Sequence, residues 1–520
     1  MKKFSKTELI IFLGLILLGA ILRIYKLDIF PAGFHGDEGW TGLEARRILK
    51  DGFIGFWSPS ALGQSALPFY WTAIFFKIFG ESIFTARLSF ALLNIFWIPF
   101  FYLLIRLIFS KATAIIATFL LITGSTPLAF SRRADFVAVS LSFFPAIFLL
   151  LLSLKTNKKM HFILAGIFIG LSHHMYASYW ITPIAFGVFT IYLILILKRE
   201  FFRKYAKNFA LLLISYLFFA FPMILLAITN PDAIFSRSHT ISIFSSQGLA
   251  HIQTYLGSKA TIFDALLHNT KVTLGMFNLT NDPDSWNNFN NNPLFDPITA
   301  IFFFLGLIYC LRKFRDKQIL FIYVLFFTFL LGSIFTIDAP NFRRSQESIY
   351  IAYIFVGVGL LQTYKLIVSK IQFIKKPLAI FGAILIIYIG FYNTHLYFNK
   401  YSISQEARYV LADRLVQVAK FINTLPKSTY VYFYSTCCAY GHQTLQFLLP
   451  NIPGESRSKE FGIFSLGNHI RDKNVVYVFL PTYTDNLSKI ELMYPGGIKS
   501  IRRDADGSIM FNAYFLKKQQ

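Results

Sequence analysis

Three short motifs in this chain combine acids and arginines between long apolar runs. The first is His35-Gly36-Asp37-Glu38-Gly39-Trp40. Adjacent carboxylates at the edge of an apolar region are costly to desolvate, and their repulsion raises one pKa. Such a carboxylate suits a general base acting on a hydroxyl. A solvated loop around a Gly-flanked turn is the competing reading. The second motif is Ser131-Arg132-Arg133-Ala134-Asp135, and the third is Asp338-Ala339-Pro340-Asn341-Phe342-Arg343-Arg344. Ion pairs inside the motifs (Arg133 with Asp135, Asp338 with Arg343 or Arg344) account for both. Arginines on an outer rim also fit an anionic ligand, since the guanidinium fork matches phosphate oxygens. A fourth group, His173, His174, Tyr176 and Tyr179, reads as an aromatic interface belt or, for the histidines, as metal ligands.

The elements that position these residues follow from composition. Apolar residues make up 55% of the 520 and charged residues only 15%, with Phe present 61 times. A soluble chain carries roughly a quarter charged residues. Apolar runs of bilayer-spanning length recur at about 8–27, 83–105, 112–130, 136–154, 160–178, 180–197, 208–229, 297–311, 318–337, 348–368 and 377–395. They predict an all-α polytopic transmembrane bundle of about eleven helices. The first run is longer than a signal-peptide core and lacks a cleavage pattern, so it reads as a retained anchor.

The net charge of +24 sits in six clusters, at 2–6, 106–111, 155–159, 198–207, 312–317 and 365–376. A nucleic-acid binder gathers its charge on one face or arm; this distribution argues against nucleic acid as a partner. Lys and Arg favour cytoplasmic loops, and eleven crossings starting inside place all six clusters there. Residues 28–82, 131–135, 230–296, 338–347 and the tail beyond about 400 then lie outside. Asp37, Glu38, Asp135 and both arginine pairs thereby share one outer rim.

The outer segments differ in kind. Residues 28–82 hold a short helical stretch near Thr41–Lys50 and an aromatic one at 67–80, read as a helix in the interface. Residues 281–296 read as a flexible Asn- and Asp-rich loop. The tail changes composition. Residues 403–425 predict a helix, with Ser402 and Gln405 as a capping box and Pro426 as its stop. Segments 428–436, 475–480 and 508–515 predict strands. The chain thus divides into a transmembrane domain, 1–398, and a small external C-terminal α/β domain, 399–520. Its three cysteines, Cys310, Cys437 and Cys438, make no disulfide framework and read as structural or free thiols.

An apolar groove below a rim of acids and arginines suits a long lipid with an anionic head. The chemistry implied is attack by a carboxylate-activated hydroxyl on a sugar whose leaving group is a lipid phosphate, with arginines meeting the developing charge. No GxGxxG or P-loop pattern calls for a nucleotide.

The order HGDEGW, PFYW, FGESIFTARLSFAL, SRRADF, NNFNNNPLFDPITAIFFFLGL and APNFRRSQESIYIAYIFVGVGL resembles the GT-C class of membrane glycosyltransferases, specifically the protein O-mannosyltransferase-like and aminoarabinose-transferase-like members. The resemblance implies inverting transfer from a polyprenyl-phosphate sugar to a lipid, polymer or protein acceptor on the non-cytoplasmic side. It implies Asp37 as catalytic base, Glu38 as a second acid beside it, and Asp135 at the second acidic position. Arg133 and Arg344 match positions near the lipid phosphate, with Arg132 and Arg343 as substitutes. His35, His173 and Tyr176 are candidate substrate contacts. The sequence requires no cofactor and is compatible with a divalent metal. A transporter or lipid flippase is the alternative, but such proteins carry charges near the midplane and internal repeats, and few of either are evident. Phe-, Ile-, Lys- and Asn-rich usage points to a prokaryotic plasma membrane, with the amino terminus cytoplasmic.

Overall fold

The computed structural model describes residues 3–60, 63–135, 142–283, 292–461, 465–466, 470 and 472–518. Among these, seven helices are long and apolar enough to cross a bilayer: Lys6–Ile24, Ile83–Ile108, Ser178–Leu197, Ala206–Thr229, Lys317–Ile334, Gln346–Lys370 and Gln372–Ile403. Lys111–Thr123 and Ser125–Ser131 make an eighth if counted together, although they bend by 63°. Phe143–Thr156, Lys159–Leu171 and Pro297–Leu311 are shorter. Each segment read from the sequence as a span therefore holds a helix, and four of those helices are bent or short. Residues 136–141 of the fourth segment and 284–291 of the Asn-rich loop lie outside the described residues.

Apolar side chains alone do not hold helices together in lipid, so close backbone approach and internal polar contacts matter. A Cβ on Gly306 would stand 1.8 Å from the Phe355 carbonyl, and one on Gly359 would stand 1.9 Å from that of Phe302. These reciprocal glycines let Pro297–Leu311 lie directly on Gln346–Lys370. The bend at Gly124 frees carbonyls at the end of Lys111–Thr123. Buried Arg23 answers it, donating from Nη1 to the carbonyls of Ile122 (3.4 Å) and Gly19 (3.2 Å).

The C-terminal region forms a five-stranded mixed sheet in the order Gly454–Ser456, Tyr430–Tyr434, Val475–Phe479, Ile509–Leu516, Ile498–Arg503. The first three strands are parallel, and the last two join antiparallel. The three strands expected from the sequence are present. The two edge strands escaped that reading because one has three residues and the other, IKSIRR, is mostly exposed and carries no apolar run. The single helix expected at 403–425 is instead two, Gln405–Val410 and Asp413–Ile422, broken at Ala412 (φ 56°). Ser404, not Ser402, caps the first, its hydroxyl accepting the Ala407 N–H at 3.2 Å. The break lies where the Gly33 backbone packs in: a Cβ there would meet the Leu411 carbonyl at 2.3 Å. Cys437 and Cys438 are disulfide-bonded to each other, in place of the thiols expected, while Cys310 is free and buried.

Candidate active site

The acidic motif opens a helix rather than a loop. Gly36–Asp51 begins one residue after His35, which acts as N-cap: its Nδ1 accepts the Asp37 N–H at 3.0 Å. Glu38 completes a capping box by accepting the His35 N–H at 3.1 Å. Asp37 and Glu38 thus occupy the first turn, where the free N–H groups and helix dipole favour negative charge.

Glu38 is fully buried and spends its carboxylate on structure. It accepts from Arg87 Nε at 2.8 Å and Nη2 at 3.0 Å, and from the Ala134 N–H at 2.9 Å. Arg87 in turn donates to the carbonyls of Leu27, Pro31 and Gly33. Thr41 donates to the Ala134 carbonyl at 2.9 Å. The helix therefore grips Ala134 by both backbone groups, which sets Asp135 beside Asp37. Neither Thr41 nor Arg87 was singled out from the sequence; Arg87 is a lone positive residue inside an apolar run, and that oddity was the available signal.

Arg343 joins the two acids across the chain. Its Nη2 lies 3.0 Å from the Asp135 carboxylate and 3.4 Å from that of Asp37. Arg133 reaches Asp135 at 3.6 Å. Asp135, Arg133 and Arg343 are 2%, 1% and 14% exposed, whereas Asp37 keeps 26% of its side chain open. Burial raises the Asp37 carboxyl from its usual 3.8 to about 6, and the Asp135 charge adds to the rise against the pull of Arg343 and Arg133. The neighbour that acts on Asp37 is thus Asp135, not the adjacent Glu38. Burial likewise lowers His35 to about 3, so its imidazole is neutral and its 3.8 Å approach to Asp37 is no ion pair.

The remaining sequence candidates lie elsewhere. Arg132 donates to the carbonyls of Leu22, Tyr25 and Phe30 and stacks on Tyr397 and Phe398, pinning the exit of the first helix. Arg344 points away from the acids, donating to Thr336 Oγ1 (2.7 Å) and the Ile337 carbonyl (2.8 Å). The loop carrying Arg343 is held by Asp282, which accepts the Phe342 N–H at 2.8 Å, and by Asn269, which donates to the carbonyls of Ile334 and Thr336. His173 pairs with the Tyr216 hydroxyl at 3.2 Å, His174 with the Phe219 carbonyl at 2.8 Å, and Tyr176 packs against the main core. His174 lines a cleft of about 750 Å³ with Phe53, Phe56, Tyr70, Leu217 and Phe218, almost wholly apolar. Among the described residues no group of three or more His, Cys, Asp or Glu is placed to hold a metal.

The C-terminal sheet region abuts the acidic helix. Gly36, Gly39 and Gly42 recur every third residue and leave one face bare. Gln443–Leu448 lies on it: a Cβ on Gly39 would meet the Gln443 backbone at 2.7 Å, and one on Gly42 the Phe447 ring at 2.5 Å. Thr444 Oγ1 donates to the Phe34 carbonyl (2.7 Å), and Arg46 to that of Phe447 (2.9 Å).

Residues 64–225 match the family described as dolichyl-phosphate-mannose-protein mannosyltransferase. No curated protein matches the chain. Among solved structures, ArnT from Cupriavidus metallidurans bound to undecaprenyl phosphate superposes with a TM-score of 0.59 at 12% identity, covering 98% of each chain. The oligosaccharyltransferase of Archaeoglobus fulgidus, in complex with Zn and sulfate, gives 0.51 at 14% identity over 96% of this chain and 72% of that one. The chain is a multi-pass membrane protein that shares the fold of ArnT and of archaeal oligosaccharyltransferase, and its residues 64–225 match the mannosyltransferase family.

Proposed function

We propose that the chain transfers a sugar from a polyprenyl phosphate to an acceptor hydroxyl, with inversion, on the non-cytoplasmic face of the membrane. Asp37 takes the acceptor proton as the hydroxyl oxygen bonds to the anomeric carbon. The sugar–phosphate C–O bond breaks, and the polyprenyl phosphate departs with the electron pair. Arg343 and Arg133, beside the two acids, are assigned to meet the charge developing on the phosphate, so the leaving group does not require a proton. Glu38 acts as a positioning residue through Arg87 and Ala134. The apolar cleft at His174 suits an isoprenoid tail. The side of the membrane rests on the six basic clusters.

The observation that carries this reading is the arrangement of two acids around one arginine, with the more open acid, Asp37, raised to about 6. Undecaprenyl phosphate on the structurally similar ArnT supports a lipid-phosphate donor. Mass spectrometry of host lipid-linked sugars and surface glycans tests it. Deleting the gene is expected to accumulate one polyprenyl-phosphate sugar and remove one glycan substituent. A strain with both unchanged would refute the reading.

A further inference from the structure

The Asp37 site has a wall that the transmembrane part does not supply. His442 is the N-cap of Gln443–Leu448, and its Nδ1 accepts the Thr444 N–H at 3.3 Å. A neutral imidazole accepting at Nδ1 carries its proton on Nε2. That edge faces the acidic helix. A Cβ on Gly36, the residue before Asp37, would stand 3.3 Å from His442 Cε1, 3.4 Å from Nε2 and 3.4 Å from Gln443 Oε1. Burial lowers the His442 pKa, and the negative charge of Asp37 is the group that opposes this, so the ring is neutral and in electrical reach of the acid. Among the described residues no side chain accepts from Nε2. His35 has the same design on the facing helix, a neutral ring that caps through Nδ1. His35 thus lies 3.8 Å from the Asp37 carboxylate, and His442, from the far end of the chain, lies against Gly36, the residue before it.

We propose that His442 and Gln443 form a hydroxyl-binding lip, contributed by the C-terminal region, that grips a sugar at the Asp37 site. His442 donates from Nε2 and Gln443 accepts at Oε1, a donor–acceptor pair suited to neighbouring hydroxyls. The gripped hydroxyls belong either to the transferred sugar or to the acceptor. This rests on the proposed transfer reaction.

His442→Asn tests it, because Asn caps a helix as well as any residue but is too short to present a donor where Nε2 stands. The full-length protein in lipid nanodiscs is given a panel of radiolabelled undecaprenyl-phosphate monosaccharides, and binding, hydrolysis to water and transfer to a host envelope extract are followed. Loss of one neutral hydrogen bond predicts a KM raised about five- to tenfold, with kcat changed less. Hydrogen exchange over 443–448 is expected to match wild type. A raised donor KM in the hydrolysis arm assigns the lip to the transferred sugar; a raised acceptor KM alone assigns it to the acceptor. Unchanged KM values in both arms, in a protein that turns the donor over, would reduce His442 to a helix cap and overturn the proposal. A wild-type protein that neither binds nor consumes any member of the panel would overturn the transfer reaction itself, and the lip with it.

Discussion

Arg343 Nη2 lies 3.4 Å from the carboxylate of Asp37, a residue 306 positions earlier in the chain. The contact tunes the carboxylate proposed as the base: the arginine favours its ionised form, while burial and Asp135 disfavour it. A base must be ionised to accept a proton, so kcat/KM is expected to fall as pH drops through about 6. Arg343→Gln removes a charge that favours ionisation and should move this limb to higher pH. A pH–rate profile of both proteins checks the sign. The two acids titrate as a coupled pair, so the limb belongs to both.

The same shift bears on stability. The folded pKa of Asp37 lies above its usual 3.8, so ionisation costs the folded state stability as pH rises from 3.8 to about 6. Asp37→Asn removes that cost. The variant should melt higher than wild type at pH 7 and lose this advantage below pH 3.8, as read by thermal unfolding in detergent at the two pH values.

Glu38 and Arg87 are both 0% exposed and 2.8 Å apart. Removing one partner of such a pair strands the other and costs about 3–5 kcal/mol. Glu38→Gln and Arg87→Met are each expected to lower the melting midpoint, and the double variant to lose less than the sum of the two. A double-mutant cycle on thermal unfolding measures the difference.

Gly39→Ala places a methyl 2.7–2.9 Å from the backbone of Gln443 and Thr444, which cannot rotate away. The C-terminal region should loosen from the acidic helix, with faster hydrogen exchange over 443–448 and lower transfer activity. Gly14→Ala, whose Cβ meets nothing within 4 Å, is the matched control and should behave as wild type.

The helical segments, the C-terminal α/β region and the convergence of Asp37, Asp135, Arg133 and Arg343 were legible because hydropathy and misplaced charge are local signals. Which arginine of each pair faces the acids was not. Arg343 and Arg344 are adjacent on a loop, and their directions are set by Asp282 and Asn269, whose roles depend on tertiary contact. The split between Asp37 and Glu38 was hidden for the same reason. Only the fold reveals that Arg87 occupies one carboxylate and Asp135 neighbours the other. The glycine stripe at 36, 39 and 42 was visible in the sequence, but its partner lies 400 residues on and shares no pattern with it.

The most direct measurement is sugar transfer from undecaprenyl-phosphate monosaccharides by the Asp37→Asn protein, reconstituted beside wild type at pH 7. Loss of a general base is expected to lower kcat by about 10²–10⁴-fold, while binding of undecaprenyl phosphate and the folded state persist. Transfer at the wild-type rate by Asp37→Asn would contradict the account.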